Sequence, residues 1–263
     1  MRVERAALIQ RSCRAKFLSL AEADALRGIA LAPTLAEGHL ALARVFGEKL
    51  DFRHASEEYG RALSLGPGNA RVLRYYSVFA AQMRHTDRGL AAAHQAVIID
   101  PLNPASHGSL AITAFYARRY EEVLKAKRDQ ALIDPDYYQD PLEGRAYYFL
   151  GEFEKARAAC ERVTLADTGG DICLAMVYDK LGRHVDAAAA LAKVQKERGE
   201  AYSFAYADVY AQWGVAAKAL EWLETAVRVG DDELIHIKAT PFLDPLRNEP
   251  RFQAIERALK FPD

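Results

Sequence analysis

No glycine-rich phosphate loop occurs in this sequence, neither Gly-x-x-x-x-Gly-Lys-Ser/Thr nor Gly-x-Gly-x-x-Gly, so the common nucleotide cradles are excluded. Cysteine is scarce. Cys13, Cys160 and Cys173 form no Cys-x-x-Cys pair, which removes a zinc framework. Their odd number, with no export signal in the first twenty residues, reads as reduced thiols and a cytoplasmic protein. The seven histidines are scattered, and no His-Glu-x-x-His is present, so neither a metal nor a cofactor is expected. Charge of one sign is also lacking. The 35 Lys and Arg balance 36 Asp and Glu to a net charge of −1, which argues against direct nucleic-acid binding. No apolar run approaches the ~18 residues that a membrane-spanning helix needs.

Apolar residues nevertheless make up 51% of the 263-residue chain, enough to fold a core. They are arranged in a repeat. Prolines recur at positions 33, 67, 101 and 135, a period of 34 residues, in the contexts Leu31-Ala32-Pro33, Leu65-Gly66-Pro67, Ile99-Asp100-Pro101 and Ile133-Asp134-Pro135. The unit from Ala36 carries His39, Leu42, Ala43 and Phe46 on one helical stripe and Ala55, Tyr59 and Ala62 on a second. Small residues at positions 8, 20 and 27 suit the crossing of two antiparallel helices whose axes lie ~8–10 Å apart. Proline at position 32 stops the second helix.

This unit resembles the tetratricopeptide repeat, with His39 where that family usually has tryptophan. The unit from Ala70 keeps Gly89 and Ala96 at positions 20 and 27, and the unit from Pro104 keeps Leu110 and Ala111 at 7 and 8. Further units fit best from Tyr137, Thr168 and Glu200, shifts of 31 and 32 residues that imply shorter turns. The expected architecture is all-α, a right-handed superhelical solenoid of antiparallel helix pairs. Residues 1–35 are expected to form a leading helical pair, with a linker helix or a truncated repeat as the alternatives, 36–231 six repeats, and 232–263 a capping segment in which Asn248 and Pro250 start a short helix. The string Phe242-Leu243-Asp244-Pro245-Leu246-Arg247-Asn248-Glu249-Pro250-Arg251-Phe252 also resembles the end of tetratricopeptide regions in bacterial winged-helix regulators and class III adenylate cyclases.

No catalytic constellation is visible. Asn69 reads as a helix cap, and His39 and His107 as packing residues. Cys160 and Cys173 can approach each other across neighbouring units, as small buried hydrophobes. The acid pairs Glu57-Glu58, Glu121-Glu122 and Asp231-Asp232 are expected on solvent faces or turns. The resemblance implies that the first helix of each unit lines a concave groove, which places Arg44, Arg71, Arg74, Phe115, Tyr138, Arg145, Tyr148, Met176 and Phe204 on its wall. Arginine and aromatic residues favour a protein or peptide partner bearing acidic and apolar groups. Leu40, Arg44, Arg74 and Val78 stand where a chaperone-type repeat domain would hold a terminal carboxylate with Lys and Asn, so that mode is not expected. The sequence thus predicts a non-catalytic interaction module, open to self-association. The alternative is the C-terminal sensor region of a larger transcription regulator or adenylate cyclase.

Overall fold

The computed structural model describes residues 2–137, 140–163 and 169–262, with side chains from residue 14 onward. Among these residues there are fourteen α-helices, three 3₁₀ turns and no strand. A first helix, α1 (Arg2–Leu31), precedes six antiparallel pairs. These are α2 (Ala36–Glu48) with α3 (Phe52–Leu65), α4 (Ala70–Gln82) with α5 (Thr86–Ile99), and α6 (Pro104–Tyr116) with α7 (Tyr120–Ile133). The second half adds α8 (Leu142–Phe149) with α9 (Phe153–Arg162), α10 (Gly169–Lys180) with α11 (His184–Arg198), and α12 (Ser203–Gln212) with α13 (Ala216–Val229). A 3₁₀ turn at Gly199–Tyr202 leads into α12; two more, at Asp232–His236 and Pro241–Leu246, precede the last helix, α14 (Pro250–Ala258).

One backbone device recurs inside every pair. The residue that turns the chain from the first helix to the second has a left-handed φ in all six cases: Leu50 (58°), Arg84 (67°), Arg118 (60°), Gly151 (76°), Gly182 (72°) and Gly214 (76°). Glycine adopts this conformation freely, whereas a side chain strains it. The spacings of 34 residues in the first half and of 31 and 32 in the second are therefore written in these turns as well as in the prolines. Between the helices, Ala43, Ala55, Ala62, Ala81, Ala93, Ala96, Ala111, Ala175, Ala207, Ala219 and Ala226 are buried at the crossings. Gly89 is the tightest of them in the second pair: a Cβ there would lie 2.7 Å from the Ser77 carbonyl oxygen.

Three expectations are corrected. Residues 2–31 form one helix rather than a pair, because no proline and only Gly28 interrupts them. The cap of α14 is Glu249, with Pro250 at its first position; Asn248 does not fill that role. Cys160 and Cys173 are joined as a disulfide across α9 and α10, not held as free thiols. Asn69 does cap α4, accepting the amides of Arg71 at 3.0 Å and Val72 at 3.2 Å.

The tail is more than an end cap. The turn at Pro241–Leu246 lies against α12 on the inner wall, and Phe242 enters an aromatic box with ring centroids 4.8 Å from Phe149, 5.8 Å from Phe115 and 6.1 Å from Tyr148. Arg118, at the turn of the third pair, holds Asp244 with two bonds of 2.7 and 2.8 Å. Further on, Phe261 stacks on Phe52 of the first pair at 4.4 Å. The tail thereby joins the two ends of the array. Arg14 of α1 closes the same junction, reaching Glu48 and Asp232 at 3.2 Å each.

Two substitutions test the repeat geometry in opposite directions. Gly89→Ala must push α4 and α5 apart and is expected to cost about 1–3 kcal/mol. Arg84→Gly relieves a left-handed backbone at an exposed position and is expected to gain up to about 1 kcal/mol. Denaturant midpoints of the two variants against the parent chain check both signs.

Candidate functional site

The inner wall and the tail border two adjoining, half-open chambers. The first, about 480 Å³, lies between α2, α4, α6 and the turn at Asp232–His236, with Arg44 and Arg74 on its wall. The second, about 580 Å³, lies between α6, α8, α12 and the tail, with Phe115, Arg145, Phe204 and Asp208 on its wall. Val78, Ile112, Glu233 and His236 border both.

The nine groove residues expected from the sequence divide into groups. Arg44 and Arg74 share the first chamber; the Arg44 guanidinium lies 4.2 Å from the centroid of the Tyr75 ring, and Arg74 Nε is buried without a hydrogen-bond partner. Arg71 is exposed at the start of α4, outside that chamber. Phe115, Arg145 and Phe204 share the second. Tyr148 and Met176 are core: Tyr148 donates to Gln212 Oε1 at 3.0 Å and packs on Phe242, and Met176 is buried. Tyr138 lies outside the described residues. The aromatic middle of the groove is thus filled by the chain itself.

The residues that sequence reasoning missed come from the tail and from α12, with Asp140 just ahead of α8. Asp231 and Asp232, expected on a solvent face or turn, do lie at a turn, with Asp231 buried and Asp232 exposed, and both border the second chamber with Glu233, Asp208 and Asp140. Most of these carboxylates have their own partner. Asp231 Oδ2 accepts the Phe204 amide at 3.0 Å, and its Oδ1 accepts the Glu233 amide at 3.1 Å. Asp232 pairs with Arg14, and Asp140 with Lys127 at 3.0 Å. His236 Nε2 lies 3.1 Å from Glu233 Oε2, and its Nδ1 lies 2.7 Å from the Tyr116 hydroxyl and 3.1 Å from Gln82 Nε2. Asp208 is the exception, for its Oδ1 is buried with no partner.

Burial and neighbours push these groups apart in acidity. The positive field of His236, with the hydrogen bond it donates and the nearby Arg145, holds the Glu233 carboxyl down at about 2 against its desolvation. Burial raises Asp231 to about 6, opposed by its two amide bonds and assisted by repulsion from Glu233 and Asp232. Burial also raises Asp208 well above the usual carboxylate range, only partly offset by Arg145. Among the described residues no group of three His, Cys, Asp or Glu side chains is placed to hold a metal ion, and no helix is long and apolar enough to cross a membrane. His39 donates to Glu58 at 2.6 Å, and His107 to the Pro101 carbonyl at 2.8 Å, both within the packing of their helix pairs.

Asp231 makes a pH prediction. Its folded pKa of about 6 exceeds the unfolded value of 3.8, so the folded state binds its proton more tightly. The stability it contributes is present below about pH 4 and lost as pH rises through about 6. Asp231→Asn should therefore flatten the decline in stability between pH 4 and 6, whatever its absolute offset from losing one amide bond. Urea unfolding at stepped pH values measures that slope.

Comparison with known proteins agrees with the helix pairs. The tetratricopeptide repeat family matches residues 142–168, which span α8 and α9. No curated protein matches the sequence. Among solved structures, a tetratricopeptide repeat protein from Parabacteroides merdae is similar over 98% of this chain and 99% of its own, with a TM-score of 0.64 at 12% identity. PilW, a widely conserved type IV pilus biogenesis factor, is similar over 72% of this chain and 90% of its own, with a TM-score of 0.59 at 16% identity. The pilF protein of Pseudomonas aeruginosa covers 74% of this chain and 91% of its own, with a TM-score of 0.54 at 16% identity. At such low identity these likenesses speak to the fold alone, and the fold they share with this all-helical chain is that of the tetratricopeptide-repeat solenoid.

Proposed function

We propose that the protein is a non-catalytic interaction module that takes an acidic, partly apolar segment of a protein partner into the first inner chamber. One observation carries this reading: Arg44 and Arg74 line that chamber together, and neither guanidinium has an anionic partner among the described residues, whereas Glu48, Asp140, Asp232 and Glu233 around them are paired elsewhere. Arg74 is half-buried and Arg44 exposed, and a guanidinium that faces a cavity without a carboxylate is an open position for one. Tyr75, Phe79 and Ile112 supply the apolar part of the surface.

Capture of partners from cell extract, and titration with a labelled peptide of alternating Glu and Phe, test the reading. An Arg44→Glu, Arg74→Glu double variant is expected to lose peptide binding by more than about tenfold, since each charge-assisted hydrogen bond contributes about 1.5–3 kcal/mol. Equal binding by the variant and the parent chain removes the arginine chamber from the proposal.

The reading as the sensor region of a transcription regulator or cyclase rests on the resemblance of the tail. Packing accounts for the same residues, because Phe242, Leu243, Asp244 and Leu246 are used in closing the inner wall. Self-association would fall to the outer face of α1, where Phe17, Leu20 and Leu31 stand in water. The Cys160–Cys173 bond favours an oxidising compartment over the cytoplasm that the cysteine count suggested. Thiol titration of the unfolded protein, purified without reductant, should find one free thiol, that of Cys13, and three after reduction.

A further inference from the structure

The second chamber holds a separate and unused pair of charges. Arg145 projects from α8, its Nε buried without a hydrogen-bond partner among the described residues and its guanidinium 5.8 Å from the centroid of the Phe242 ring. Asp208 projects from α12, its Oδ1 likewise buried without a partner. The two do not pair with each other, although each feels the other's field. Every other carboxylate on this wall is committed: Asp231 to two amides, Asp232 to Arg14, Glu233 to His236 and Asp140 to Lys127. One guanidinium and one carboxyl group are left facing a half-open space of about 580 Å³. Phe115, Tyr116, Ile172 and Phe204 form the apolar remainder of its wall.

Leaving a buried polar atom without a bond is unfavourable, and an occupant that satisfies both ends is correspondingly favoured. That occupant must present an anion to Arg145 and a cation to Asp208, with apolar bulk against the aromatic side. We propose that the second chamber binds a zwitterion with an apolar side chain, a free amino acid or a dipeptide, its carboxylate on Arg145 and its ammonium on Asp208. The cavity lies within the size range of small-molecule sites. Burial raises the Asp208 pKa in the empty chamber, which fits a carboxyl that ionises when an ammonium arrives. The site is distinct from the arginine pair of the first chamber and does not require that reading to hold.

Calorimetric titration of the full chain tests the proposal. The probes are L-phenylalanine, L-leucine and the dipeptide Phe-Leu, with phenylacetate and phenethylamine as single-charge analogues. At least one zwitterion is expected to bind at millimolar concentration or below, with both analogues weaker by about tenfold or more. Binding of the amino acids and binding of the dipeptide alone each support the site and identify its source. Asp208→Asn and Arg145→Gln should each weaken the zwitterion by about tenfold or more, while the Arg44→Glu, Arg74→Glu variant keeps it. The proposal is overturned if no zwitterion binds, if either analogue binds as tightly, or if both folded variants bind unchanged. Should the variants fail to fold, the analogue series on the parent chain decides alone.

Discussion

Phe242 sits where the inner walls of the third, fourth and sixth helix pairs converge, and the interior is organised around that contact. A solenoid of helix pairs presents an extended concave surface to water unless something covers it. Here Phe115, Tyr148 and Phe149 would be left facing water, and Phe242 fills the space between them. The tail also buries Leu234, Ile237, Leu243 and Leu246. At about 1.5–3 kcal/mol for each large apolar side chain, the hydrophobic gain offsets the entropy of ordering the segment. Pro241 and Pro245 keep the segment from forming a regular helix, so its backbone must be satisfied from outside. Gln212 donates to the Phe242 carbonyl, and Arg247 reaches the carbonyls of Ile237 at 2.7 Å and Thr240 at 2.9 Å.

That placement changes the electrostatics of the wall. The first helices contribute Arg44, Arg74 and Arg145, and the tail lays Asp231, Asp232 and Glu233 across from them. Direct neutralisation would have closed the interior as a set of buried ion pairs, for which desolvation costs about as much as attraction returns. The carboxylates turn instead to backbone amides, to His236 and to Arg14, and the three arginines have no carboxylate partner among the described residues. The chambers persist because the charges that could have sealed them are engaged elsewhere.

Much of this was legible in the residues. The prolines at 33, 67, 101 and 135 mark the period, and Gly151, Gly182 and Gly214 mark the shortened one, because a left-handed turn favours glycine. The destination of the tail was not legible. Phe242 reads as apolar in any sequence, but whether it caps the last pair or crosses to the third depends on which wall has room for it. Position numbers taken from a repeat assume an open groove, and so they place Tyr148 on a surface that Phe242 has covered. Asp208 falls at position 9 of its unit, a groove position, yet a lone acid among aromatics carries no signal until Arg145 is known to stand nearby. The disulfide was hidden by the cysteine count, since an odd total conceals one bonded pair.

The closed tail also limits what the interior can bind. Opening the groove along its length would expose Phe242, Leu243 and Leu246 together and break the Arg118–Asp244 pair. A partner that threaded the whole solenoid would have to meet that cost from its own contacts. A short segment or a small molecule entering one chamber meets none of it, because the walls are already ordered and only solvent need leave. The inner surface is therefore suited to compact occupants, selected by the two arginines at one end and by the Arg145 and Asp208 pair at the other.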